Sequence, residues 1–151
     1  MTQIFTLEGA QQVIERINKL TPQSQPQWGV MNVGQMLAHC NITYELVYTN
    51  KHPKPRSPFM RWVLKSFVKK MVVNEEPYKK NIRTAPHFVM SSEKDFEKEK
   101  ERLIGYIKQT QELSADYFDG KESHSFGPLN KSEWNNMFAK HLDHHLTQFG
   151  V

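Results

Sequence analysis

The chain has 151 residues, 38% hydrophobic and 24% charged, a length that fits one domain, residues 1–151, with a core that needs no staples. Its single cysteine, Cys40, excludes an internal disulfide framework and fits a reducing, cytoplasmic setting. No run approaches the ~18 uninterrupted apolar residues of a membrane span, Met1–Phe5 carries no basic or long apolar leader, and the net charge of +4 excludes a strongly polyanionic chain.

Leu7 to Leu20 forms the first expected helix, with Val13, Ile14, Ile17 and Leu20 at helical spacing and Thr21-Pro22 as its stop. A Gln/Pro loop leads to Trp28. The second helix starts at Asn32, where Asn32 and Gln35 stand as a capping box, and runs through Met36, Leu37, His39, Cys40, Leu46 and Val47 to about Asn50. Lys51-His52-Pro53-Lys54-Pro55 ends it, with His52 in a solvated linker. A third helix covers Pro58 to Val73, apolar with a basic stripe of Arg61, Lys65 and Lys69. Residues 74–90 show no periodicity. The fourth helix follows a cap within Ser92-Glu93-Lys94-Asp95 and reaches about Tyr117, with Phe96, Leu103, Ile107 and Leu113 on its buried side. After a turn at Asp119-Gly120 and an ordered loop at Ser123–Pro128, the last helix runs from Asn130, with Glu133 three residues on, to about Gln148. No segment alternates as a strand does. The expectation is an all-α bundle of four principal helices with an extra basic helix.

Seven histidines are the compositional oddity. On the last helix Trp134, Met137, Phe138, Leu142 and Phe149 form one apolar arc. His145 falls inside it, and His141, about 40° away, does too. Histidines at i and i+4 stack one turn apart and can chelate one ion. The plain alternative is a pair of hydrogen-bonded core imidazoles, since neither can be buried without partners. His39, on the apolar side of the second helix with Thr43 a turn on, is the candidate third ligand. Cys40 points about 100° away from His39 and reads as core. His124, ahead of the last helix, and His144, at the arc's edge, are candidates for a catalytic proton-transfer role, with an ordinary loop or surface histidine as the alternative. His87 is a weaker candidate of the same kind.

Two blocks carry a resemblance. Trp28…Gly34-Gln35-Met36-Leu37-Ala38-His39, followed by His141-x-x-x-His145-x-x-Gln148, resembles the DinB/YfiT-like superfamily of metalloenzymes. The stretch His124-x-Phe126-Gly127-Pro128-Leu129…Glu133-Trp134…His141-Leu142-Asp143-His144-His145-Leu146-x-Gln148-Phe149-Gly150 is similar to a branch of it catalogued as a domain of unknown function. The resemblance implies a four-helix bundle holding a divalent metal on His39, His141 and His145, and frequent dimers. Many relatives read His-Arg-Gly-Gln where this chain has His145-Leu146-Thr147-Gln148, so Gln148 remains as a partner for a ligand while the Arg and Gly do not.

Three neutral nitrogens leave a coordination position open, the catalytic pattern for zinc; zinc or nickel are the first candidates, and iron(II) or manganese would accept the same donors. The expected function is a mononuclear metal-dependent transferase or hydrolase that activates a water or a small thiol on a small-molecule substrate. Lys51 to Arg83 holds ten Lys and Arg against Glu75 and Glu76. Arg61, Lys65, Lys69 and Arg83 could receive an anionic substrate or form a solubilising face, and Tyr44, Tyr48 and Trp62 could line a pocket or be core. The competing reading is a non-enzymatic binding or assembly module using that basic face on nucleic acid or an anionic membrane; no nucleic-acid motif appears. The third helix, apolar around much of its circumference, fits burial or a homodimer contact better than an interfacial membrane helix.

Overall fold

A computed structural model describes residues 1–82 and 85–151. Arg83 and the His87 side chain, both considered above, lie outside the described residues. In chain order come α1 (Leu7–Asn18), α2 (Val33–Tyr48), α3 (Pro58–Val63), a π-helical turn (Leu64–Val68), α4 (Lys69–Val73), a single 3-10 turn (Pro86–Phe88), α5 (Phe96–Phe118), a two-residue hairpin of β1 (Glu122–Ser123) and β2 (Gly127–Pro128), and α6 (Lys131–Gln148). The architecture is an all-α helical bundle.

The local chemistry of each start explains its placement. Thr6 Oγ1 accepts from the Gly9 amide at 3.1 Å and opens α1. Both capping boxes form: Asn32 with Gln35 at α2 and Asn130 with Glu133 at α6, each side chain serving the other residue's amide. At α5 the cap is Asp95, which accepts from the Lys98 amide at 2.8 Å, and not Ser92. Asp competes as well as Ser for that place, and starting there puts Phe96 at the first helical position. α5 is also less regular than its periodicity suggests: Ser114 takes φ 66°, ψ 166° and kinks it near its C-terminal end.

α2 packs chiefly on α5, α1 lies against α5 and α6, and α6 closes the group against α2 and α5. Between them Ile17, Met36, Leu37, Leu103, Ile107, Phe138 and Leu142 are sealed from water. An aromatic stack runs through this core, with Tyr44 between Tyr106 (5.6 Å) and Phe138 (4.9 Å). Tyr48 donates or accepts at Thr110 Oγ1, 2.7 Å away. Tyr44 and Tyr48 thus belong to the packing. Gly34 lets α2 begin tight against the segment before α5: a methyl there would stand 2.6 Å from the Lys94 carbonyl oxygen.

Residues 58–73 are helical throughout, as the periodicity suggests, but none of them is buried. The π turn breaks the i, i+4 basic stripe. Lys69 turns to Glu133 of α6 at 3.0 Å, whereas Arg61 Nε donates to the Pro55 carbonyl at 2.7 Å. The segment's far end is latched by Lys140 of α6, whose buried ammonium donates to the Met71 carbonyl, the Asn74 carbonyl and Asn74 Oδ1 at 2.6 to 2.8 Å. No helix among the described residues is long and apolar enough to cross a membrane.

Candidate metal centre

Three imidazoles meet between α2 and α6. His39 Nε2 lies 3.0 Å from His141 Nε2. The His39 and His145 ring centroids are 4.5 Å apart, and those of His141 and His145 4.8 Å. One nitrogen from each ring falls within 4.8 Å of the others, a span that one ion can bridge. His39 and His145 are buried and His141 is partly exposed. α6 brings two of the rings together because i and i+4 side chains lie one above the other on a helix face. α2 brings the third because its capping box fixes where it starts and Met36, Leu37 and Cys40 turn the same stretch into the core.

Each ring is held from behind through its other nitrogen. His39 Nδ1 stands 2.9 Å from the Phe88 carbonyl oxygen, and His145 Nδ1 2.8 Å from Gln148 Oε1. Both partners can only accept, so both Nδ1 atoms carry the proton and both Nε2 lone pairs face the shared space. His141 Nδ1 lies 3.1 Å from Thr43 Oγ1, a hydroxyl that can serve either way. This outer ring of a carbonyl, an amide and a hydroxyl is the arrangement that orients histidine ligands on a metal.

Gln148 is in turn positioned by the loop after α1. Its Nε2 donates to the Trp28 carbonyl at 2.6 Å, and its backbone carbonyl accepts from the Gln27 amide at 2.7 Å. Gly29, with φ +82°, makes room: a methyl at that position would come 2.6 Å from Gln148 Nε2. The 3-10 turn Pro86–Phe88 covers the opposite side, with the Phe88 ring 5.1 Å from His39 and 5.9 Å from His141.

Burial sets the electrostatics. Desolvation, then the neighbouring His145 and His39, holds His141 well below the ordinary imidazole range. Burial likewise lowers His39, against the opposing pull of the Phe88 carbonyl. It brings His145 down to about 3, with His39 adding to the effect and Gln148 opposing it. All three rings are therefore neutral at physiological pH, which is the form a metal requires.

The other sequence candidates are dispersed. His144 is half-buried one ring behind the cluster, 5.0 Å from His145 and edge-on to Trp28 (5.8 Å) and Tyr78 (5.7 Å). It lines a cavity of about 430 Å³ with Trp28, Tyr78, Lys80, Lys140 and Thr147. His124 sits on the β1–β2 turn, its Nδ1 2.8 Å from Ser125 Oγ and its Nε2 3.1 Å from the His52 carbonyl oxygen. That places it beyond the C-terminal end of α2, whereas His39 lies in the first half of that helix. His52, read above as a solvated linker residue, is instead 2.7 Å from Glu45 Oε2; Glu45 also pairs with Arg102 and Lys51. Cys40 is buried with its sulfur 3.8 Å from Met36 Sδ, and burial pushes its thiol far up, as suits a core residue.

The Phe88 carbonyl has no sequence signal, because any residue supplies one. The Trp28–Gly29 support of Gln148 had a faint signal in the Trp28 of the quoted motif.

Compared with known proteins, residues 2–150 match the family model described as "Protein of unknown function (DUF1569)". No curated protein and no solved structure matches the chain.

Proposed function

This chain belongs to the DUF1569 family, and we propose that His39, His141 and His145 hold one divalent metal ion at the centre of a small-molecule enzyme. The observation that carries this is the combination of three convergent imidazoles with three separate partners on their outward nitrogens. Hydrogen-bonded core histidines need no common point; these rings share one. Zinc and nickel suit the all-nitrogen donor set best. Membership of the DinB/YfiT-like superfamily belongs to the same reading.

A metal held by three neutral histidines would supply Lewis acidity, enough to lower the pKa of a water or to stabilise a small thiolate. The chain's own residues do the rest. Phe88 and Gln148 fix the tautomers of His39 and His145. Thr43 manages the remaining proton. At 3.0 Å from His39 Nε2, His141 Nε2–H donates to it, and the Thr43 hydroxyl donates to His141 Nδ1. For all three Nε2 lone pairs to face inward, the His141 proton moves to Nδ1 and Thr43 becomes the acceptor. The hydroxyl can make both bonds, so the site changes tautomer without leaving a polar group unpaired. The Phe88 ring keeps water from one side. His144, on the cavity wall beside His145, is the proposed proton carrier; the place of His124 on a different part of the surface favours His144 over it.

The test is metal analysis of the protein stripped with a chelator and then titrated with Zn²⁺ or Ni²⁺ by calorimetry. One ion per chain, lost in His39→Ala and in His145→Ala with the helical circular dichroism kept, is the expected result. A folded wild-type chain that takes up neither ion refutes the metal centre.

A further inference from the structure

Phe59, Met60, Trp62, Phe67 and Met71 are all exposed, and all lie on the surface segment formed by α3, the π turn and α4. Phe59, Trp62 and Phe67 expose 70%, 56% and 64% of their surface. These are not scattered residues. Phe59 and Trp62 lie 6.1 Å apart between ring centroids, and Trp62 and Phe67 5.6 Å.

The π turn Leu64–Val68 makes the row continuous. In a regular α-helix residues five apart point about 140° from one another. A turn that bonds i to i+5, as the Lys69 amide does to the Leu64 carbonyl, brings residues five apart toward the same side, and Trp62 and Phe67, five apart, have their rings in contact across it. Val63, Leu64, Val68 and Val72 turn toward the body and are half-buried, so the aromatic row forms the outward edge.

The charge around this row decides what it meets. Residues 51–82 carry nine Lys and Arg against Glu75 and Glu76. Arg56, Arg61, Lys65 and Lys70 are exposed along the row itself. Glu133 of α6 is paired with Lys69, and Glu75 and Glu76 come after α4 has ended. A second copy docking by the same face would bring these cations together, which opposes a symmetric dimer. Aromatic rings flanked by Lys and Arg on a surface helix are instead complementary to an anionic bilayer. There the rings sit at the headgroup level and the long basic side chains reach the phosphates.

We propose that Pro58–Val73 is an interfacial docking element by which this protein binds anionic membrane surfaces, lying in the plane of the bilayer with Phe59, Trp62, Phe67 and Met71 inserted. The element is latched to the bundle through Lys140, so docking holds the whole molecule at the surface.

The experiment is co-sedimentation and tryptophan fluorescence of the full chain with vesicles of phosphatidylcholine, with and without phosphatidylserine. The expected result is binding to the serine-containing vesicles at least tenfold tighter than to pure phosphatidylcholine, weakened by salt, with a blue shift of emission that disappears in Trp62→Ser. Phe59→Ser/Phe67→Ser is expected to lower binding at least tenfold, and Lys65→Glu/Lys70→Glu to remove the preference for phosphatidylserine. These side chains are exposed, so far-ultraviolet circular dichroism should be unchanged. Equal or absent binding to the two vesicle types overturns the proposal. So does a dimer in light scattering that Phe59→Ser/Phe67→Ser dissociates, since the same row would then be covered by a second copy.

Discussion

Gln148 accepts a hydrogen bond from His145 Nδ1 at 2.8 Å while donating through its nitrogen to the Trp28 carbonyl at 2.6 Å. One amide therefore fixes the tautomer of a proposed metal ligand and ties it to a loop more than a hundred residues earlier in sequence. Removing it frees the ring without removing the ligand. Gln148→Ala is expected to weaken Zn²⁺ binding about 10- to 100-fold, the usual effect of losing such an outer partner. Gln148→Glu, which still accepts from Nδ1, should lose less. Calorimetric titration of the three proteins decides it, and equal affinity for wild type and Gln148→Ala would show that the amide does not act on the metal.

The same amide can be disturbed from the far side. Gly29 has φ +82° and approaches Gln148 Nε2 so closely that a methyl would come within 2.6 Å. Gly29→Ala meets two penalties: a left-handed backbone that alanine tolerates poorly, and displacement of the Gln148 side chain. The expected cost is about 1–2 kcal/mol of stability in denaturant unfolding, with a fall in Zn²⁺ affinity beside it. Gly120→Ala is the control. Its φ is +76° with nothing near the added carbon, so it should share the backbone penalty and leave the metal untouched.

Much of this was legible from residue types. Asn32 with Gln35 and Asn130 with Glu133 announce two helix starts because a capping box needs those side chains at that spacing. His141 and His145 could be turned inward on paper because the apolar arc of α6 fixes the helix's rotation, and His39 followed from the same reasoning on α2. What resisted reading is what depends on the backbone or on distant contacts. The π turn at Leu64–Val68 has no residue signature, so the basic stripe looked straight when it is not. The Phe88 carbonyl that orients His39 comes from a stretch without periodicity. His52 sat among prolines and lysines and looked solvated, yet Glu45, a turn before the end of α2, reaches it. Ser92 and Asp95 are both good caps by residue type, and the helix starts at Asp95.

Thr43 tests the proton bookkeeping. Its hydroxyl serves His141 Nδ1 whichever way the proton lies. Thr43→Val keeps the shape and removes both roles, leaving Nδ1–H unpaired when all three Nε2 atoms face inward. A buried unmatched donor costs about 1–3 kcal/mol, so Zn²⁺ affinity should drop roughly 5- to 100-fold while apo stability changes less. Thr43→Ser restores the hydroxyl and should restore the affinity. If Thr43→Val binds Zn²⁺ as tightly as wild type, His141 does not use Thr43 in the bound form.

Acid should destabilise the metal-free protein well before its carboxylates titrate. Burial lowers His39, His141 and His145, the last to about 3, whereas in the unfolded chain each imidazole takes its proton near the ordinary value of about 6.5. Between those limits the unfolded state binds more protons than the folded one, so stability rises with pH and is lost as pH falls below about 6.5. Each fully neutral ring contributes a slope of about 1.4 kcal/mol per pH unit. His144, lowered by burial but half-exposed and beside Asp143, adds a smaller share of the same sign. Glu45 acts later: burial alone would raise it, but His52, Arg102 and Lys51 together hold it below the usual carboxylate range, so its contribution is lost only in stronger acid. Urea unfolding in the presence of chelator, repeated between neutral pH and mild acid, should show this decline, and His145→Leu should flatten it by about one imidazole's slope. A stability that stays level across that interval would mean the three rings take up protons in the folded protein. They would then face water rather than one another.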